Sequence, residues 1–186
     1  MADETHTMLF ITFADPTAAL AAFAEAKELP GARQAAVLRR SAEGLLDTPE
    51  SWVRGAGTPT VATGIVGGLL GLFGGPIGVL LGWTAGTVLG GAAELRQFQD
   101  GAEGLLVYSR DLAEGHAMLI VELHERHREL ADELAARHGG TLLRRPADEV
   151  AAEVRAAERA ASSSADEPGE EPGEESVGRA GQDDAG

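Results

Sequence analysis

GGLLGLFGGPIGVLLGWTAGTVLGG, residues Gly67 to Gly91, is the stretch on which the architecture turns. It sits inside 39 consecutive positions, Gly55 to Ala93, without a charged side chain. Its glycines fall on rows four residues apart. Gly67, Gly71 and Gly75 form one row; Gly74, Gly78, Gly82, Gly86 and Gly90 form the other. Residues at i and i+4 share a helical face, so each row is a groove without side chains. A second backbone can approach such a groove closely, as in small-xxx-small helix pairs. The helix-packing residues expected from the pattern are these eight glycines.

The cost of so much glycine argues against accident. Gly64, Gly67, Gly68, Gly71, Gly78, Gly82, Gly86, Gly90 and Gly91 fall inside helix-prone segments. In water-exposed helices each costs roughly 0.8–1 kcal/mol relative to alanine, on the order of 7–9 kcal/mol together. Burial against a partner helix, or a lipid medium that forces backbone hydrogen bonding, must offset that. Thr58-Pro59 reads as a helix start and Gly74-Gly75-Pro76 as a stop, turn and restart, so the segment is expected to be a hairpin of two helices. Pro59 to Phe73 would rise about 22 Å and Pro76 to Ala93 about 27 Å, both short of a hydrocarbon core of about 30 Å. Full or partial membrane insertion and a soluble oligomeric core are therefore both open.

Working outward, the flanks read as alternating strands and helices. Thr7 to Phe13, TMLFITF, is β-branched and aromatic and predicts a strand. Asp15 before Pro16 is an N-cap followed by proline at the first helical position. The helix is expected to run to about Leu29, with Leu20, Phe23 and Ala24 on its inner face and Pro30-Gly31 as the stop. Arg33 to Arg40 predicts a second strand. Ser41 to Ser51 reads as a turn region with at most a short strand at Gly44 to Leu46. After the insert, Ala117 to Leu123, AMLIVEL, predicts a strand. His124 to His138 predicts a helix with Leu130 and Leu134 inward, closed by Gly139-Gly140. Thr141 to Arg145 predicts a fourth strand and Pro146 to Ala161 a polar helix.

Strand, helix, strand, insert, strand, helix, strand is the order of a split βαβ sandwich. The expected fold class is α+β: a ferredoxin-like sandwich of four strands with two helices on one face, spanning 1–161 and interrupted by the hairpin at 55–93. Strands that share a sheet require the insert to return to where it left, which favours two passes over one. Arg54 and Arg96 would then face the same, cytoplasmic, side.

Taken together, the βαβ start, the Gly67 to Gly91 hairpin and the end formed by AMLIVEL and ELAARHGGTLLRR (Glu133 to Arg145) resemble a bacterial family. It is catalogued as a domain of unknown function, numbered twelve sixty-nine. The resemblance covers about Thr7 to Ala157. It implies a membrane-associated protein with no catalytic residues to carry over. Some members are labelled histidine kinase, but kinase signatures are absent from this sequence, and the acidic tail departs from the family pattern.

Composition narrows the function classes. The net charge is −15, which argues against nucleic acid or an anionic bilayer as an unspecific partner. From Ser162 onward, Asp166, Glu167, Glu170, Glu171, Glu174, Glu175, Asp183 and Asp184 stand against Arg179 alone, so nearly half of that charge lies in the tail. With SSS and two EPGE copies, 162–186 is expected to be disordered, with a basic partner as one use for it. There is no cysteine, hence no disulfide and no thiolate metal site. Asp3, Glu4 and a short apolar stretch do not make an export signal. HERH, His124 to His127, is one residue short of zincin spacing and reads as a solvated helix face rather than a metal site. GIVGGLLG, Gly64 to Gly71, lacks the Lys-Ser/Thr ending of a phosphate loop.

The expectation is a protein that is not an enzyme and binds no metal or cofactor. It would be a membrane-associated or assembly-forming homo-oligomer held by the hairpin, at the cytoplasmic membrane with both termini in the cytoplasm. The alternative is a soluble, cytoplasmic, oligomeric module in which the sandwich senses a small ligand.

Overall fold

The computed structural model describes residues 4–42, 46–55, 64–74 and 112–165. Among them the chain is α+β, a five-stranded antiparallel sheet with four helices. The elements are β1 (Thr5–Phe13), α1 (Pro16–Ala26), β2 (Ala32–Arg40), β3 (Leu46–Val53), α2 (Gly64–Gly74), β4 (Ala117–Glu125), α3 (Arg128–Arg137), β5 (Thr141–Pro146) and α4 (Ala147–Ala165). The strand order is β3-β2-β4-β1-β5, so β2, β4 and β1 lie inside and β3 and β5 at the edges.

The inner strands explain themselves. Met8 and Phe10 of β1 point to one face, Leu9, Ile11 and Phe13 to the other, and all five are buried. A strand covered on both faces reads as a continuous apolar run, which is what MLFITF is. AMLIVEL in β4 behaves alike, with Phe10 registered on Ile120 and Ile11 on Leu119.

α1 and α3 cover one face. Asp15 caps α1 as expected: its carboxylate accepts from the Thr17 backbone N–H at 2.8 Å and from the Thr17 hydroxyl at 2.6 Å. Ala19, Ala22, Phe23 and Ala26 pack inward against Ala131, Leu134 and Ala135 of α3 and the sheet between them. α3 ends in a Schellman arrangement. The Gly140 N–H donates to the Ala135 carbonyl at 2.8 Å, the Gly139 N–H to Ala136 at 3.2 Å, and Gly139 takes φ +69°. A methyl on Gly140 would stand 2.6 Å from both Ile11 Cγ2 and Phe13 Cε1, so this turn also needs glycine for space.

Several expectations are corrected here. The sheet has five strands, because Leu46–Val53 pairs with β2 where a turn region was expected. Its sequence, LDTPESWV, lacks apolar alternation because an edge strand half open to water has no face that must be apolar throughout. Pro49 is tolerated at an edge, and the pairing shifts register between Val37 and Arg39 across from it. Leu20, Ala24 and Leu130 face outward, not inward. Besides the two expected helices on one face, the other face is covered by α2 and α4. α3 starts only at Arg128, because β4 continues through His124 to Glu125. α4 carries on to Ala165, four residues beyond the expected end; 166–186 lie outside the described residues.

The other face is covered by α2 and α4. Val66, Leu69 and Leu72 from α2, and Ala147, Val150, Val154 and Ala157 from α4, close over Met8, Phe10, Ala36, Leu38, Met118 and Ile120. The spacing of the α4 residues is that of a single helical stripe. Fully burying a leucine such as Leu69 stabilises the fold by about 1.5–3 kcal/mol. The first half of the expected hairpin is thus part of the domain core.

Candidate functional site

The expected helix-packing glycines fall into three groups. Gly67 and Gly71 lie within α2, and Gly74 is its last residue. Gly75, Gly78, Gly82, Gly86 and Gly90, and with them the second pass of the hairpin, lie outside the described residues. The expected helix start at Thr58-Pro59 lies outside the described residues; α2 is described from Gly64, which takes φ +80°. α2 has 11 residues, a rise of about 16 Å. Among the described residues no helix is long and apolar enough to cross a membrane.

Close helix approach does occur, at a glycine outside both expected rows. A methyl on Gly68 would overlap Val154 Cγ1 of α4 and lie 3.2 Å from Glu158 Oε1. Val154 is β-branched and buried, so it cannot swing away. Gly68 therefore lets α2 and α4 approach backbone to side chain on the sheet. Gly71, three residues on, is exposed, with no atom within 4 Å of where a methyl would stand. Gly68, on the flank of α2, is thus filled by α4, while Gly71, about 60° further round the helix, is open. The i+4 spacing of Gly67, Gly71 and Gly75 does not reveal whether a face is turned to this chain or away from it.

Polar side chains gather at the end of the sheet where β1 begins and β4 ends. Glu122 and Glu125 are both buried. Glu125 accepts from Arg144 Nε at 2.9 Å, and Arg144 also donates to Asp132 of α3 at 2.8 Å and to the Arg128 carbonyl at 2.8 Å. Burial works against the Arg144 charge, but its bonds to Asp132 and Glu125 outweigh it and raise its pKa above the ordinary value. Glu122 meets His6 of β1, which the sequence reading did not single out. His6 lies two residues before the apolar run of β1, and only strand pairing brings it to His124.

The HERH histidines are separated by the fold. His124 is in β4, His127 is the residue before α3, and neither shares a helix face with the other. His138, at the end of α3, bonds through Nε2 to Glu25 of α1 at 2.9 Å, and Arg137 reaches the other oxygen of the same carboxylate. These contacts, the His138 bond foremost, hold the Glu25 carboxyl below its usual pKa. No group of three or more metal-ligating side chains converges among the described residues. A cleft of about 10 Å³ between Leu29, Pro30, Leu123, Arg126 and Leu130 has room for a water at most.

Compared with known proteins, the chain matches no family model, no curated protein and no solved structure.

Proposed function

We propose that this chain is a non-enzymatic assembly protein that self-associates through the outer, glycine side of α2. The reading rests on one observation: Gly71 stands open on the same helix whose Gly68 is filled by Val154. An exposed helical glycine costs about 1 kcal/mol relative to alanine, and an opposing backbone would offset that. The apolar side of α2 is already occupied by its own sheet. This favours protein assembly over bilayer insertion for that helix. The order β2-β4-β1-β5, with α1 and α3 on one face, supports a ferredoxin-like reading of the core, with β3 added at the edge. The resemblance to the glycine-hairpin family is compatible with this and adds no residue role.

Paired variants test it. Gly68→Leu should lower the thermal midpoint by several degrees, since overpacking costs about 1–3 kcal/mol. Gly71→Leu should leave the midpoint unchanged or slightly raised, because leucine is the better helix former. It should nevertheless shift the particle measured by light scattering to a smaller mass. A Gly71→Leu protein of wild-type mass would remove the outer face of α2 from the assembly.

A further inference from the structure

The two edges of the sheet are unlike. β3 carries the devices that keep an edge from pairing: exposed Asp47 and Glu50, Pro49 without an N–H inside the run, and a register shift against β2. β5 lacks the proline and the shift over Thr141 to Arg145. It pairs with β1 in unbroken register, Thr12 on Thr141 through to Thr7 on Pro146, and its proline is the last residue. Among the described residues no strand lies beyond it. Leu143, the register partner of Phe10, is 46% exposed, the most open large apolar side chain described.

Charge does not guard this edge either. Arg144 is held over one face of the sheet, by Glu125 at 2.9 Å and Asp132 at 2.8 Å. Arg145 is held over the other, by Glu153 at 2.8 Å and Glu149 at 3.2 Å. The two side chains are only 17% and 20% exposed. Their charges are thus met within the chain, and an acidic segment laid along β5 would gain little from them. What remains at the edge is backbone and Leu143, which suits a strand of the same kind.

We infer that β5 is the contact of a two-fold dimer, in which the β5 edges of two copies pair antiparallel about Leu143 and join two sheets into one. Directly opposed residues of an antiparallel pair share a face, and side chains alternate along a strand. The two-fold axis must therefore pass through a residue, not between two. An axis at Arg144 sets two guanidinium groups opposite each other, and like charges so placed repel. An axis at Leu142 lays Arg144 and Arg145 against the Gly139-Gly140 turn and shortens the ladder. An axis at Leu143 uses the whole run from Thr141 to Arg145. It brings the two Leu143 side chains together and sets Leu142 opposite Arg144 and Thr141 opposite Arg145, with no arginines opposed. The contact is self-complementary and closes on itself. It is separate from association through α2, which lies on a face of the sheet rather than at its edge.

Two measurements on the full chain test this dimer. The chain has no cysteine, so a single one can be placed at will. Directly opposed residues of an antiparallel pair stand within the Cα separation that a disulfide spans. Under mild oxidation Leu143→Cys should give a covalent dimer, and Leu20→Cys, at an exposed site on α1, should not. Equal crosslinking at the two sites, or none at 143, overturns the proposal. The second measurement uses Gly71→Leu as the background, so that α2 is out of play. Its particle should still be a dimer by light scattering, and adding Leu143→Lys should halve the mass, because a lysine opposite a lysine keeps the edges apart. A Gly71→Leu protein of monomer mass, or a dimer indifferent to Leu143→Lys, overturns the β5 contact and leaves the α2 reading standing. Should the double variant not fold, the crosslink decides alone.

Discussion

α1 and α3 each connect two strands of the sheet and cover one face; α4, which continues directly from β5, and α2, which follows β3, cover the other. On the first face the helices meet through alanines, Phe23 and Leu134, and their seam is polar, with Glu25 taken by Arg137 and His138. On the second α2 meets α4 through a glycine against a valine, Gly68 on Val154. The first face is built from local βαβ units whose caps and stops lie in the sequence itself. The second depends on a helix of high glycine content, intrinsically weak in water, that forms because the sheet and α4 cover it. A layer held in that way can be as much a part of the core as the first while having much weaker local signals.

The largest effects decide whether the two faces belong to one cooperative unit. Phe23→Ala, on the first face, should cost about 3–5 kcal/mol and Leu69→Ala, on the second, about 2–5 kcal/mol. Both should shift a single denaturant transition. A Leu69→Ala cost below about 0.5 kcal/mol would mean that α2 is a removable layer and that the comparison between faces is one between core and appendage.

A smaller effect isolates the local contribution to the first face. Asp15→Ala removes the side-chain acceptor for Thr17 and should destabilise by about 1 kcal/mol, chiefly through α1. Amide exchange should quicken in the first turn of α1 and stay unchanged in α2. Equal loosening of both helices would show that the faces are coupled more tightly than their separate packing suggests.

The smallest effect is a pH slope. Glu25 is half-buried, and its carboxyl is held below the ordinary carboxylate value by the His138 bond and by Arg137. A group whose folded pKa is depressed contributes above the unfolded value and loses that contribution as pH falls through the folded one. Wild type should therefore lose stability below about pH 4.5 more steeply than Glu25→Gln. Parallel curves would show that the α1–α3 seam is held by packing alone.

Most of the first face was legible in the residues. TMLFITF and AMLIVEL carry the continuous apolar runs of buried strands, Asp15-Pro16 starts α1, and Gly139-Gly140 closes α3. β3 was not legible, since LDTPESWV has neither alternation nor an apolar run and becomes a strand only by pairing with β2. The inward faces of α1 and α3 were misjudged at Leu20 and Leu130 because large apolar residues drew the reading. The core there is made of small ones, Ala19, Ala22, Ala131 and Ala135. His6 carried no local signal at all; it meets Glu122 only because β1 pairs with β4.

By itself the sequence determined the elements whose causes are local: β1, α1, β2, β4 and β5, their turns, and the fact that the glycine helix must be covered by something. Hydrophobic period, caps and glycine stops act over a few residues, and a few residues are enough to read them. What covers the glycine helix was decided only in three dimensions. Gly67, Gly68 and Gly71 are one residue type on one short helix. Which of them meets Val154 and which meets open space depends on the angle at which α2 lies on the sheet. That angle is set by Val66, Leu69 and Leu72 finding their places among strands far away in the chain.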